Sequence, residues 1–283
     1  MLGKLIKHEL RATRRKMLPM FGVLALLALL SNVSLRMADA DLGGTLMRVL
    51  TGIFVSVFFI GIIVAWVMAL VLMISRYYRN LLKDEGYLSF TLPTNAHALV
   101  WAKLIVSSLW FLAVSLLSLL LFALTVLNVA DLSGADLGSF FRDLEALSDY
   151  LREEGVTGGN LVLLGLELIA AFILSCLTTS LHFYAAMGIG QMSATKKALW
   201  SVLSFIGISI VFRIVAATLL SGLSASGSLD IVADNINELV ETVPGAFKAM
   251  NAGLGWTMLA ELLQCAVLYF VSVLTLQKKL NLA

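Results

Sequence analysis

Residues 49–75 read VLTGIFVSVFFIGIIVAWVMALVLMIS, 27 residues without one charged side chain. As a helix rising about 1.5 Å per residue this run is about 40 Å long, more than the roughly 30 Å hydrocarbon core of a bilayer. No soluble helix of that length would be apolar on every face. Five more stretches of similar character follow or precede it: 17–35, 104–130, 161–187, 198–223 and 253–277. The chain as a whole agrees. It is 60% hydrophobic and 13% charged, against about 25% charged in ordinary soluble domains. The reading is an all-α integral membrane protein of 283 residues, one transmembrane domain with six spans.

The first span needs separate treatment, because a basic start, an apolar run and Ala38-Asp39-Ala40 imitate a secretory signal. A signal core is about 7–15 residues, and this one is 19, so it is read as a retained membrane helix. Orientation follows from Lys and Arg. With the N-terminus inside, 14 of the 20 lie in inner segments, and only Arg36, Arg48, Arg142, Arg152 and Lys248 lie outside. Both termini are expected in the cytoplasm.

The connecting segments carry their own patterns. Residues 1–16 place Leu2, Leu5, Ile6 and Leu10 at helical spacing among six cations, an amphipathic helix expected to lie on the inner surface before the chain turns in near Pro19. The outer segment 131–160 repeats Leu137, Phe140, Phe141, Leu144, Leu147 and Leu151 against acidic residues, and Gly155 should end that helix. The outer segment 224–252 behaves likewise from Leu229 to Val243, where Pro244-Gly245 interrupts it. That helix, the break and a short piece with Phe247 and Met250 form either a re-entrant hairpin or two surface-lying helices.

Few residues offer chemistry. No phosphate-cradling G-x-x-x-x-G-K-[ST], no H-E-x-x-H and no G-x-S-x-G occurs. Cys176 and Cys265 sit in apolar runs and read as packing residues, and His182 as a partner in one interhelical hydrogen bond. No catalytic residue, metal site or cofactor is expected on this chain. Glu167, Arg213 and Glu261 lie within spans, where charges pair, face the protein interior or line a wet cavity. Counted from their span ends they share one depth, which permits an ion pair or triad, or a substrate pathway. Gly61, Ala65 and Ala69 form a small-residue ridge on span two, suited to close packing against either this chain or another subunit.

The inner segment 76–103 mixes aromatics, leucines and both signs of charge, the composition of a protein contact. The start Gly3-Lys4-Leu5-Ile6-Lys7-His8-Glu9-Leu10 and the run Asp84-Glu85-Gly86-Tyr87-Leu88-Ser89-Phe90-Thr91-Leu92-Pro93 resemble the permease subunits of bacterial ABC-2 type transporters. The resemblance implies a dimeric exporter permease and a coupling helix after span two, seated on a separate ATPase subunit that holds ATP and Mg. It would place Tyr77, Tyr78, Arg79, Leu81, Leu82, Asp84, Glu85 and Tyr87 at that contact. The residues also allow two other readings: a secondary transporter or channel using Glu167, Arg213 and Glu261, and a non-transporting scaffold or immunity protein.

Overall fold

A computed structural model of the chain describes residues 2–40, 42–82, 96–132, 137–193, 196–225 and 242–278. The described residues form seven helices: α1 (Leu2–Asp39), α2 (Gly44–Tyr77), α3 (Ala96–Leu132), α4 (Leu137–Glu153), α5 (Gly158–Gly190), α6 (Lys197–Ala225) and α7 (Val243–Lys278). Among those residues there is no strand. All but α4 are long and apolar enough to cross a membrane. Their outward side chains are apolar, as Ile63 and Val67 on α2 and Leu259 and Leu263 on α7 illustrate, which suits hydrocarbon and not water. These are the marks of a multi-pass membrane protein.

Two compact units divide the chain, one of residues 1–75 and 105–146, the other of 76–104 and 147–283. In the first, α1 and α2 run antiparallel. The Thr51 hydroxyl donates to the Ser34 carbonyl at 2.9 Å near one end. Toward the other end Gly61 lies so close to α1 that a Cβ there would sit 2.9 Å from Leu27 Cδ1. Ala65 and Ala69 are both buried, so the small-residue ridge of α2 is used inside this chain. α3 runs parallel to α1. Trp110 Nε1 donates to Thr13 Oγ1 at 2.7 Å, and Asn32 Nδ2 donates to Thr125 Oγ1 at 3.1 Å. Trp66 of α2 stacks on Phe111 of α3 with ring centroids 5.7 Å apart.

In the second unit α5 packs on both α6 and α7. Here, too, glycines let the helices close. A Cβ on Gly188 would collide with Thr275 of α7, and one on Gly190 with Ser201 of α6. Contacts fix the directions. His182 meets Ser209 and Gly190 meets Ser201, so α5 and α6 are antiparallel. Gly188 meets Thr275, and the Thr178 side chain hydrogen-bonds Cys265, so α5 and α7 are parallel. This alternation is what successive membrane crossings require.

The ends of the helices match some expectations and correct others. Gly155, at φ +87°, ends α4 in a left-handed turn in which Val156 N–H reaches the Leu151 carbonyl at 2.8 Å and Gly155 N–H reaches Arg152 at 3.0 Å. That double bond satisfies carbonyls the helix leaves open, and Val156 is buried beside it. Two proline signals read differently in the structure. α1 passes through Pro19 without ending, so residues 1–16 and 17–35 are one helix with no turn between them. Pro244 lies in the first turn of α7, where its missing N–H costs nothing, and Thr242 Oγ1 accepts from Gly245 N–H at 3.2 Å as a cap. Phe247 and Met250 therefore belong to the last long helix and not to a separate arm. The pattern from Leu229 to Glu241 lies outside the described residues.

Candidate partner-docking face

Span two does not stop where its apolar run stops. Helix α2 continues through Ser75, Arg76 and Tyr77, and Tyr78–Leu82 add one wider π turn. Such turns arise where an inserted residue re-aims side chains, and they gather at functional places. Here the turn puts Tyr77, Leu81 and Leu82 on one side, and all three are buried, Tyr77 and Leu81 completely. The Tyr77 ring lies flat on Tyr184 of α5, centroids 3.8 Å apart and planes 6° from parallel. Its hydroxyl is buried with no hydrogen-bond partner among the described residues.

This corrects part of the expected contact. Tyr77, Leu81 and Leu82 anchor the end of α2 to its own chain and are not available to a partner. Tyr78 is half-buried and Arg79 is exposed. Asp84, Glu85 and Tyr87 lie outside the described residues.

The start of α3 belongs to the same unit. His97 Nδ1 lies 2.7 Å from the Tyr269 hydroxyl of α7, and the Trp101 ring packs 5.7 Å from Tyr269. α2 and α5 thus meet through one aromatic pair, and α3 and α7 through another aromatic group. Sequence reasoning missed the His97–Tyr269 and Tyr77–Tyr184 pairs, whose members lie about a hundred residues or more apart and share no motif. It also placed Lys103 among loop cations, whereas its side chain is buried at the beginning of α3.

The intramembrane charges do not assemble. Arg213 is exposed on α6, while Glu167 and Glu261 are half-buried on α5 and α7. Each glutamate has Oε2 buried without a hydrogen-bond partner among the described residues. No ion pair joins Arg213 to either of them among the described residues. Nor is the common depth kept. Four residues beyond Ser209, Arg213 stands level with Thr178 on the register that joins Ser209 to His182. The register that joins Thr275 to Gly188 puts Glu261 level with Leu174. Arg213 and Glu261 then differ by about 6 Å in height, and Arg213 and Glu167 by about 16 Å. His182 does make the expected interhelical link, with Nε2 3.1 Å from Ser209 Oγ and 3.3 Å from the Phe205 carbonyl. Both cysteines are free, and no group of His, Cys, Asp or Glu among the described residues could hold a metal.

No family model matches this chain, and comparison with curated proteins and with solved structures finds no significant match.

Proposed function

We propose that this chain is the permease subunit of an ABC-2 type exporter in the bacterial cell membrane, with both termini cytoplasmic. In this reading it works with a second permease subunit and a separate ATPase subunit that binds ATP and Mg, and it has no catalytic residue of its own. The observation that carries the reading is the end of α2. A membrane-crossing helix runs on past its apolar segment and is clamped to α5 by the Tyr77–Tyr184 stack. It leads directly into Lys83-Asp84-Glu85-Gly86-Tyr87, the part of the sequence richest in contact-forming residues. A chain without a nucleotide motif needs a ligand or a partner that favours one of its conformations over another, and this segment offers a surface for a partner. A force on residues 78–87 would pass through that stack into α5, and from α5 into α6 and α7.

Arg79, with Asp84, Glu85 and Tyr87 from the sequence, would meet the ATPase. Tyr77, Leu81 and Leu82 would transmit the movement within the chain. Mild-detergent purification of the tagged chain from native membranes tests the proposal. It predicts a stoichiometric nucleotide-binding chain in the complex, with ATP hydrolysis that depends on both.

The unpartnered carboxylate oxygens of Glu167 and Glu261 favour a second reading, a secondary transporter that moves protons or cations through these acids. Transport by the purified chain in vesicles under an ion gradient, with no ATPase present, would decide for it. A chain that neither transports nor recruits an ATPase would be a membrane scaffold or immunity protein.

A further inference from the structure

Helices α5 and α6 meet along only part of their length. Gly190 packs on Ser201 and His182 on Ser209, and Phe183 stacks on Phe205 between them, centroids 4.7 Å apart. From the first pair to the last the step is eight residues on both helices, so one antiparallel register holds throughout. Seven residues beyond His182 and Ser209, nearly two whole turns, the same faces and the same register bring Ser175 opposite Ala216. Two small residues facing each other in a closed contact would be buried, yet both are exposed. So is Thr179, one turn from Phe183 on the face that meets α6. The two helices therefore part beyond the His182–Ser209 contact and leave a cleft open to the bilayer.

Arg213 stands exposed on the α6 wall of this cleft, one turn beyond Ser209. In register it is level with Thr178, which puts Thr179 about 1.5 Å and Ser175 about 4.5 Å from its height on the opposite wall. Neither of those hydroxyls bonds back to its own helix, as the hydroxyls of Thr178 and Ser180 do. Arg213 has no ion pair among the described residues, and Glu167 on α5 is about 16 Å away in height. The level of Met187, the nearer end of the apolar run 161–187, is about 14 Å away, too far for the side chain to reach the headgroups. The rim is apolar, with Ile173 on α5 and Val211, Ile214 and Val215 on α6 all exposed.

We infer that this cleft is a lateral binding site for an anionic phospholipid, entered from the bilayer. The guanidinium takes two phosphate oxygens in a fork, the Ser175 and Thr179 hydroxyls donate to the others, and the acyl chains stay among the apolar rim residues. A guanidinium in hydrocarbon needs an anion, and an apolar rim open to lipid admits only an anion that brings its own hydrocarbon. A headgroup held this deep is between the two leaflets. The inference thus names the substrate class left open by the permease reading, and as a statement about transport it rests on that reading, while binding does not.

The test places the purified chain in nanodiscs of phosphatidylcholine doped with phosphatidylglycerol that carries a photoreactive diazirine on one acyl chain, and maps the adducts by peptide mass spectrometry. Adducts should concentrate on the exposed residues around the cleft, above the level at Ile63 and Val67 on the lipid-facing side of α2. Arg213→Gln should lower the cleft adducts at least roughly tenfold, with those on α2 unchanged, and Arg213→Lys should keep most of them. Ala216→Trp fills the cleft without touching a charge and should lower them equally. Unlabelled phosphatidylglycerol should compete, whereas added phosphatidylcholine and inorganic phosphate should not. Absence of adducts at the cleft overturns the inference, as do cleft adducts that survive Arg213→Gln or that phosphatidylcholine displaces equally, the mark of ordinary boundary lipid. Displacement by inorganic phosphate overturns it in favour of a soluble anion. In a background lacking Cys176 and Cys265, a disulfide within one chain between S175C and A216C overturns it by showing the cleft closed. The nanodiscs contain no ATPase, so failure of the lipid site is read here, and failure of the permease reading is read separately from the absence of a nucleotide-binding chain in the complex from native membranes.

Discussion

The Tyr77 and Tyr184 rings lie face to face with centroids 3.8 Å apart, and this one contact ties the end of α2 to the middle helix of the second unit. Tyr77 is fully buried and its hydroxyl finds no partner among the described residues, so the ring and the hydroxyl contribute with opposite sign. Tyr77→Ala should cost about 3–5 kcal/mol by leaving a cavity. Tyr77→Phe keeps the stack and removes a buried donor whose desolvation costs about 1–3 kcal/mol, so it should be neutral or stabilising. Thermal unfolding of the detergent-solubilised protein checks both. A Phe variant as unstable as the Ala variant would mean that the hydroxyl, and not the ring, holds the contact.

Gly61 makes a prediction about the first unit. A Cβ there would approach Leu27 Cδ1 to 2.9 Å and Leu24 Cδ1 to 3.4 Å, both at the ends of flexible side chains. Gly61→Ala should therefore be absorbed by small rotations, while Gly61→Val should cost about 1–3 kcal/mol through overpacking. Leu27→Ala opens the space that valine needs, so the double variant should be more stable than the two single effects sum to. Strict additivity in thermal melts would show that α1 and α2 do not meet at this point.

Charge counting predicts the orientation. Single cysteines at Ser148 and Ser228, in a background lacking Cys176 and Cys265, should react with an impermeant thiol reagent on intact cells. Reaction only after lysis would invert the chain and place α4 in the cytoplasm.

The spans were legible because a bilayer demands long uncharged runs, and Gly155 was legible because a left-handed helix end favours glycine. Other features depend on which way a face turns, and one-dimensional spacing does not carry that information. Leu81 and Leu82 looked like contact residues, and so they are, but the surface they meet is their own chain. Counting from the span ends puts Arg213 and Glu261 at one depth, whereas the registers of α5 with α6 and α7 set them about 6 Å apart, and spacing along one chain does not carry that register. Pro244 reads as a stop from the sequence and marks a start in the structure, because the same ring that breaks a helix interior fits its first turn. The Ser209–His182 link was foreseeable, since a histidine in hydrocarbon must find a polar neighbour.

Leu81 also predicts which inner-segment changes are informative. Leu81→Asp buries an unpaired charge where the wild-type side chain is fully enclosed, and the protein should fail to accumulate in the membrane. Immunoblots of membrane fractions measure this. Accumulation at the wild-type level would place Leu81 outside the core.

Arg79 is exposed at the end of α2, so its reversal leaves the buried core intact. The decisive measurement is ATP hydrolysis and ATPase recovery for the complex purified with wild-type chain and with Arg79→Glu combined with Asp84→Arg. The account predicts that the variant inserts and melts like the wild type but loses the ATPase, or leaves its hydrolysis uncoupled from transport. Full ATP-dependent transport by the variant, or transport by the purified chain with no ATPase present, would contradict it.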